Sequence, residues 1–272
     1  MRIDSHVHSY FSLDASASMS EVAEAAVNLG LDGLCFTDHC DLMDAETPGK
    51  AAVGYYEGWE KSYGEIEVVR AEWGDKIEIL HGMELGEIAL APERAKQCAM
   101  APGLDFLLGS VHVVPGHKDF FWLKYPSMDF CRELADLYLD TNIRMAEVNL
   151  ADAIAHIGYL NRYTQRDGFV IDFMDYEEKM RHLFGILVEN GRGIEINTSG
   201  LRRNPGTGRL IPDLPELKLY KECGGEIVTI GSDAHSARHV GSHLHEAEEL
   251  LRAAGFDYVT VFRQRKPNFI KL

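Results

Sequence analysis

The sequence predicts an α/β fold, either a parallel barrel or an open sheet, on three observations. Short apolar, β-leaning runs alternate with longer amphipathic stretches, glycines close several of those stretches, and no linker or shift in composition interrupts the alternation. The 272 residues, 46% hydrophobic and 26% charged, are enough to bury one sizeable core, so a single domain over 1–272 is expected.

The elements follow in order. A strand at 2–8 leads to a helix at 20–29 that stops at Gly30, and a strand at 33–37 leads to a helix at 56–73 that stops at Gly74. Apolar runs predict strands at 77–85 and 106–114, and a helical period follows over 130–145. A strand at 153–156 precedes a helix at 176–189, closed by Gly191. A strand at 193–197 precedes a helix at 214–223, closed by Gly224. The last pair is a strand at 227–230 and a helix at 241–254, with Gly255 behind it. Strands joined by helical crossovers run parallel. The irregular segments, 41–54, 114–126 and 201–215, each come after a strand rather than between two zones of composition.

Charge and composition exclude several classes of function. With 43 acidic against 27 basic side chains the net charge is -16, which argues against a broad nucleic-acid footprint built from clustered Lys and Arg. No apolar run approaches the roughly 18 residues of a membrane span, and the first residues carry no apolar leader, so a cytoplasmic protein is expected. Five scattered cysteines without CxxC spacing indicate neither a disulfide framework nor a thiolate zinc site, and they are expected to be reduced and mostly packed.

The histidines carry the functional signal. His6, His8, His39, His112 and His156 stand within or at the C-terminal ends of expected strands, and His235 stands beside Asp233 in TIGSDAHS. In a parallel barrel those ends converge on one face, where loops complete a site. Residues two apart on a strand share a face, so His6 and His8 can reach one cation, and Asp233 with His235 repeats the spacing. Glu84 could bridge two cations through its two oxygens, and Asp14 could add a ligand from the loop. Imidazole and carboxylate suit zinc, iron or manganese without any thiolate. His243 and His245 fall at a helix start, where positions two apart diverge, and are expected at the surface, as are His117, His182 and His239. His81 shares a strand with Glu84 but at odd spacing points to the opposite face.

The motifs DSHVHS, FTDH, GMELG, GSVH, the Ala155–His156 pair and GSDAH, in this order, resemble the PHP family, named for its polymerase and histidinol-phosphatase members. The chain is most similar to the stand-alone histidinol-phosphate phosphatases, through YGEIEVVRAEWGDKIEILHGMELG, LDFLLGSVHVV, EINTSGLR and IVTIGSDAHSARHVG. The resemblance implies a distorted (β/α)7 TIM-like barrel with a site for three divalent metals (Zn, Fe or Mn) at the C-terminal strand ends. It implies His6, His8, Glu84 and Asp233 around one metal, Glu84, His112 and His156 around a second, and Asp14, His39 and His235 around a third. Asp14 stands where many relatives have histidine. Arg162 and Arg202 match phosphate-binding arginines, although Gly158 departs from the acidic residue often found there; Arg203 is expected to be solvated.

The reaction implied is hydrolysis of a phosphate monoester, L-histidinol phosphate in histidine biosynthesis. A hydroxide bridging two metals would attack phosphorus, with Arg162 and Arg202 on the phosphate. Asp233, His235 and Glu84 are the residues expected to act at the reacting centre, with Asp233 or a neighbouring histidine protonating the leaving oxygen. Asp41, after His39, is a candidate acceptor for the cationic end of the substrate. Two alternatives stand beside this reading. One is a PHP phosphoesterase for nucleotides or other small esters, disfavoured for nucleic acids by the acidic balance. The other is a non-catalytic, metal-stabilised module, disfavoured because the whole ligand set is present.

Overall fold

The computed structural model describes residues 1–203 and 208–272. Residues 204–207, within a segment expected to be irregular, and the side chain of Arg203 lie outside this description. Seven parallel strands form the sheet: β1 (Ile3–Val7), β2 (Gly33–Phe36), β4 (Glu78–Gly86), β5 (Phe106–Ser110), β6 (Ala153–Ile154), β7 (Gly193–Asn197) and β8 (Val228–Gly231), hydrogen-bonded in that order. The short β3 (His39–Asp41) also pairs with β4, setting His39 opposite Glu84 and Asp41 opposite Gly86. Just past the C-terminal ends of β8 and β1, Asp233 donates its N–H to the His6 carbonyl at 2.8 Å and His8 donates to the Ala234 carbonyl at 2.8 Å. The sheet is therefore a nearly closed barrel, drawn together at the end where the histidines lie.

Helices α1 (Met19–Asn28), α2 (Glu57–Trp73), α3 (Pro92–Ala99), α4 (Met128–Val148), α5 (Asn161–Thr164), α6 (Glu177–Glu189), α7 (Ser199–Arg203), α8 (Leu214–Glu222) and α9 (Leu244–Ala253) alternate with the strands. In α1 the Ser18 side chain accepts from the Glu21 N–H while Glu21 reaches back to the Ser18 N–H, and Met19, Val22, Ala23 and Ala26 form the buried stripe. All seven expected strands and the six expected helices are present. Among the described residues no helix is long and apolar enough to cross a membrane. Four cysteines are buried, Cys223 is half-buried, and all five are free thiols.

Besides the short helices α5 and α7, three features were not expected. β3 is three residues long, too short for any periodicity, and is held by its pairing with β4. In α3 only Ala95 and Cys98 are buried, so no apolar stripe announces it. The third is an antiparallel hairpin of β9 (Tyr258–Arg263) and β10 (Lys266–Lys271) that covers the N-terminal end of the barrel. Val261 and Phe262 pack there with Ile3, Cys35, Leu80, Phe106 and Ala153. Its turn residues Gln264 and Arg265 both adopt positive φ without being glycine or asparagine. Tertiary contacts hold them: the N–H of Gln264 donates to Asp105 Oδ1 at 3.0 Å, and Arg265 donates to the Leu150 carbonyl at 2.6 Å and to the Asp152 carboxylate.

His81 takes the opposite face of β4, as its spacing requires, stacked on Trp59 with ring centroids 4.8 Å apart and bonded to Ser62 Oγ at 2.9 Å. Burial lowers its pKa from 6.5 to about 4. A folded-state value below the unfolded one means unfolding takes up a proton, so stability is complete above about pH 6.5 and falls as pH drops toward 4, by up to about 3 kcal/mol. Urea titrations from pH 4 to 7 should show this acid slope reduced in His81→Gln; an unchanged slope would refute the assignment.

Candidate metal centre

At the closed end of the barrel, Glu84 lies 1% exposed with imidazoles around both of its oxygens. Its Oε2 is 3.2 Å from His6 Nε2, 3.4 Å from His8 Nε2 and 3.1 Å from His39 Nδ1. Its Oε1 is 3.0 Å from His156 Nε2 and 3.3 Å from His112 Nε2. The carboxylate thus separates two groups of imidazoles, one on each oxygen. Asp233 Oδ1 adds to the first group, 4.0 Å from His6 Nε2 and 3.7 Å from His8 Nε2. On the outer side, exposed Asp14 comes 3.1 Å from His235 Nε2 and 3.7 Å from His39 Nε2, while the rings of His8 and His39 stack at 4.3 Å. All nine residues expected from the sequence to ligate metal therefore meet at this end of the barrel.

Electrostatics sort the cluster. Burial works to raise the Glu84 carboxyl, but His39, His6 and the hydrogen bonds from His112 and His156 hold it well below the ordinary carboxylate range. Burial likewise opposes ionisation of Asp233, yet Arg162 and the nearby imidazoles keep its pKa well below normal. His8 is driven well below its usual pKa by burial and by the neighbouring His235, His39 and His6, so its ring is neutral. Burial also opposes protonation of His6, His39 and His112, but Glu195, Glu84 and Asp41 raise their pKa values, to about 10 for His39, so cations binding there would displace protons.

Outer hydrogen bonds aim the rings. His6 Nδ1 lies 2.6 Å from Glu195 Oε1, His8 Nδ1 3.1 Å from Ser12 Oγ, and His112 Nδ1 3.3 Å from Asp41 Oδ1. Ser12 donates its own proton to Asp38 at 2.7 Å, so it accepts from His8. In each case the partner on Nδ1 accepts that nitrogen's proton and turns Nε2 toward Glu84, the nitrogen that in His6 and His112 donates to the carboxylate and that would bind a cation once its proton leaves. Two other ligand candidates are backbone outliers: His156 has φ 31° and Asp233 has φ 53°, each costing of order 1–3 kcal/mol. The His156 N–H donates to Glu195 Oε2 at 3.0 Å.

The donor set fits divalent cations. His6 Nε2 and His8 Nε2 face each other at 3.0 Å, and buried His39 Nδ1, although 3.1 Å from Glu84 Oε2, makes no aligned hydrogen bond. Protein groups alone leave the cluster unsatisfied, and the ligand chemistry is that of zinc, iron or manganese.

Both arginines singled out in the sequence gather at Asp233. Buried Arg162 donates through Nη2 to Asp233 Oδ2 at 2.7 Å and to Ser199 Oγ, with its guanidinium 4.5 Å above the Tyr159 ring. Arg202 donates to the carbonyls of Ser232 and Asp233, both at 3.0 Å. Asp41, also singled out, touches His112 and comes 3.8 Å from His39 Nδ1. His243 and His245 pair with Glu246, Glu248 and Glu249 at the surface, as expected.

Glu195 was missed in the sequence. Besides His6 and the His156 N–H, its carboxylate accepts from Asn197 Nδ2 at 3.1 Å. The available signal was a carboxylate in the middle of the buried strand GIEIN. Glu195→Gln puts an NH2 where three donors converge, and should weaken metal retention by about 10- to 100-fold, read as metal content after graded chelation. Asp38 was missed too. It accepts from the Ser9 N–H, Ser9 Oγ and Ser12 Oγ at 2.7, 2.8 and 2.7 Å, and its signal was its place before His39.

Residues 4–199 match the PHP domain model. The chain belongs to the PHP domain family. Asp233 and His235 fall beyond the matched segment, but similarity to histidinol-phosphatases extends over 95% or more of the chain. The histidinol-phosphatase of Lactococcus lactis is 28% identical over 275 residues, 97% of this chain and 96% of its own. A Thermotoga maritima protein called "Probable histidinol-phosphatase" is 28% identical over 259 residues, 95% of each chain. A crystal structure of the L. lactis histidinol phosphate phosphatase with zinc, L-histidinol and phosphate superposes with a TM-score of 0.79 at 27% identity, covering 98% of both chains.

Proposed function

We propose that this protein is a cytoplasmic, metal-dependent phosphomonoester hydrolase acting on L-histidinol phosphate. The observation that carries the hydrolytic reading is Glu84, whose two oxygens each face their own imidazoles, with two arginines at the neighbouring Asp233. The choice of substrate is supported by the likeness to histidinol-phosphatases along the whole chain.

His6, His8, Glu84 and Asp233 would hold one cation, Glu84, His112 and His156 a second, and Asp14, His39 and His235 a third. When bound, such cations supply Lewis acidity, withdrawing charge from phosphoryl oxygens and making water acidic enough to react near neutral pH. The chain's own residues do the rest. Arg162 and Arg202 meet the charge that builds on the phosphoryl group, and Tyr159 under the Arg162 guanidinium keeps its plane fixed. Asp233, ionised beside Arg162, is placed to accept the proton of the attacking water, and the departing alcohol oxygen, which needs a proton because an alkoxide leaves poorly, takes it from Asp233 or a neighbouring histidine. His235, hydrogen-bonded to the Asp233 carbonyl at 3.0 Å, holds that carboxylate's backbone in place.

The test is phosphate release from L-histidinol phosphate, a mononucleotide and an aryl phosphate, with enzyme reconstituted separately with manganese, iron and zinc. Selective turnover of histidinol phosphate is expected. Turnover confined to the other esters would overturn the substrate, and no release with any metal would overturn catalysis. Arg202→Ala should weaken binding of the phosphorylated substrate while leaving that of free histidinol unchanged; an equal effect on both would remove the arginine from the phosphate end.

A further inference from the structure

The imidazoles around Glu84 are not all aimed in the same way. His6, His8 and His112 each have an acceptor at Nδ1, whereas His156 Nδ1 is buried without a hydrogen-bond partner. The direction of that ring therefore depends on the backbone that carries it and on the Tyr159 ring stacked beside it at 4.5 Å. The backbone is unusual there. His156 has φ 31° and Gly158 has φ 113°, conformations that persist only where the surroundings enforce them. Glu195 accepts from the His156 N–H, and the Tyr159 N–H closes the turn on the His156 carbonyl at 2.8 Å. Tyr138, in the middle of α4, completes the hold. Its hydroxyl donates to the same carbonyl at 3.2 Å and accepts from the Gly158 N–H at 3.3 Å, so one oxygen spans the turn from 156 to 158. The Tyr138 ring is fully buried, in T-shaped contact with Phe120 and Phe173 at centroid separations of 5.9 and 6.0 Å.

From this geometry we propose that Tyr138 is a positioning residue for the metal centre, its hydroxyl holding the 156–158 turn in the conformation that points His156 Nε2 at Glu84 Oε1. The proposal rests on the metal-centre reading above and gives α4, which contributes no ligand, control over one cation position. A hydroxyl is suited to the task because it donates and accepts through a single atom, and the turn offers one carbonyl and one N–H to be tied together. Phenylalanine at this position would fill the same space and keep the packing against Phe120 and Phe173. It would take the acceptor from the Gly158 N–H and one of the two donors from the His156 carbonyl, and the turn, released from α4, would relax and carry the imidazole away from Glu84.

The experiment compares zinc-loaded wild type, Tyr138→Phe and Tyr220→Phe. Tyr220 is the control, because its ring is also fully buried and its hydroxyl also bonds to backbone, the Arg192 carbonyl at 3.3 Å and the Ile227 carbonyl at 3.2 Å, just before β7 and β8 and so at the far end of the barrel from the histidines. Zinc retained against graded dipicolinate is measured beside the unfolding midpoint of each apoprotein. Tyr138→Phe should release part of its zinc at about 10- to 100-fold lower chelator than the wild type, the range for loss of an outer partner of a metal ligand. Tyr220→Phe should lower the midpoint to a similar degree and release zinc as the wild type does. A His156→Gly background shows whether the hydroxyl acts through the histidine. Glycine accepts the positive φ and removes the ring, so adding Tyr138→Phe should change zinc release no further. Equal zinc release from wild type and Tyr138→Phe, an equal loss in Tyr138→Phe and Tyr220→Phe, or an undiminished effect in the glycine background overturns the proposal. A wild type that retains no zinc overturns the metal centre itself, and the role of Tyr138 with it.

Discussion

Glu84→Gln is expected to lower turnover by well over the roughly hundredfold that loss of an outer hydrogen-bond partner costs a metal site. The amide can offer one oxygen to the imidazoles where the carboxylate offers two, and it carries no charge to offset cations held side by side. The apoprotein should suffer as well. His6, His8, His39, His112 and His156 all lie within 3.4 Å of this one buried carboxylate. Removing one partner from a buried charge cluster costs about 3–5 kcal/mol. Metal analysis, phosphate release and thermal unfolding with and without added metal would show the three effects together. A variant that still binds a full complement of metal and turns over at the wild-type rate would overturn the bridging role of Glu84.

Gly231→Ala should be nearly as damaging, for a steric reason. A Cβ at Gly231 would overlap His6 Cβ and Glu195 Oε1 and come 3.2 Å from the His6 nitrogen. Neither neighbour can yield cheaply, because His6 Cβ is fixed by β1 and Glu195 is bonded to His6, His156 and Asn197. Overpacking of this kind costs about 1–3 kcal/mol, and here the displacement also turns His6 away from Glu84. The expected result is a lowered unfolding midpoint together with reduced metal content. Gly185→Ala, on α6 with nothing within 4 Å of the added atom, serves as the control and should be neutral or slightly stabilising. Equal metal content in the two variants would show that the close approach at Gly231 does not govern the site.

The parts of the site that were legible in the sequence are those with a local signature. His6 and His8 are two apart on a strand, Asp233 and His235 stand two apart just past another, and Glu84, His112 and His156 end apolar runs. Partners that act from another strand have no such signature. Glu195 reads locally as one polar residue in an apolar run, and its meaning comes only from His6 Nδ1 lying 2.6 Å away across 189 positions. Arg162 was legible as a phosphate-binding candidate, but its pairing with Asp233 was not, since that contact spans 71 positions. The hairpin β9–β10 was missed although YVTVF has strand character, because its turn, Gln264–Arg265, lacks the usual glycine or asparagine and is held by Asp105, Leu150 and Asp152.

The sequence by itself determined the alternation of strands and helices, the parallel sheet and the set of imidazoles and carboxylates at the strand ends, because periodicity and residue chemistry are local properties of a chain. Only the folded chain sets which oxygen of Glu84 faces which histidine and which nitrogen of each ring is turned inward. Those outcomes depend on distances between residues far apart in sequence, and such distances exist only once the barrel has drawn β1 and β8 together.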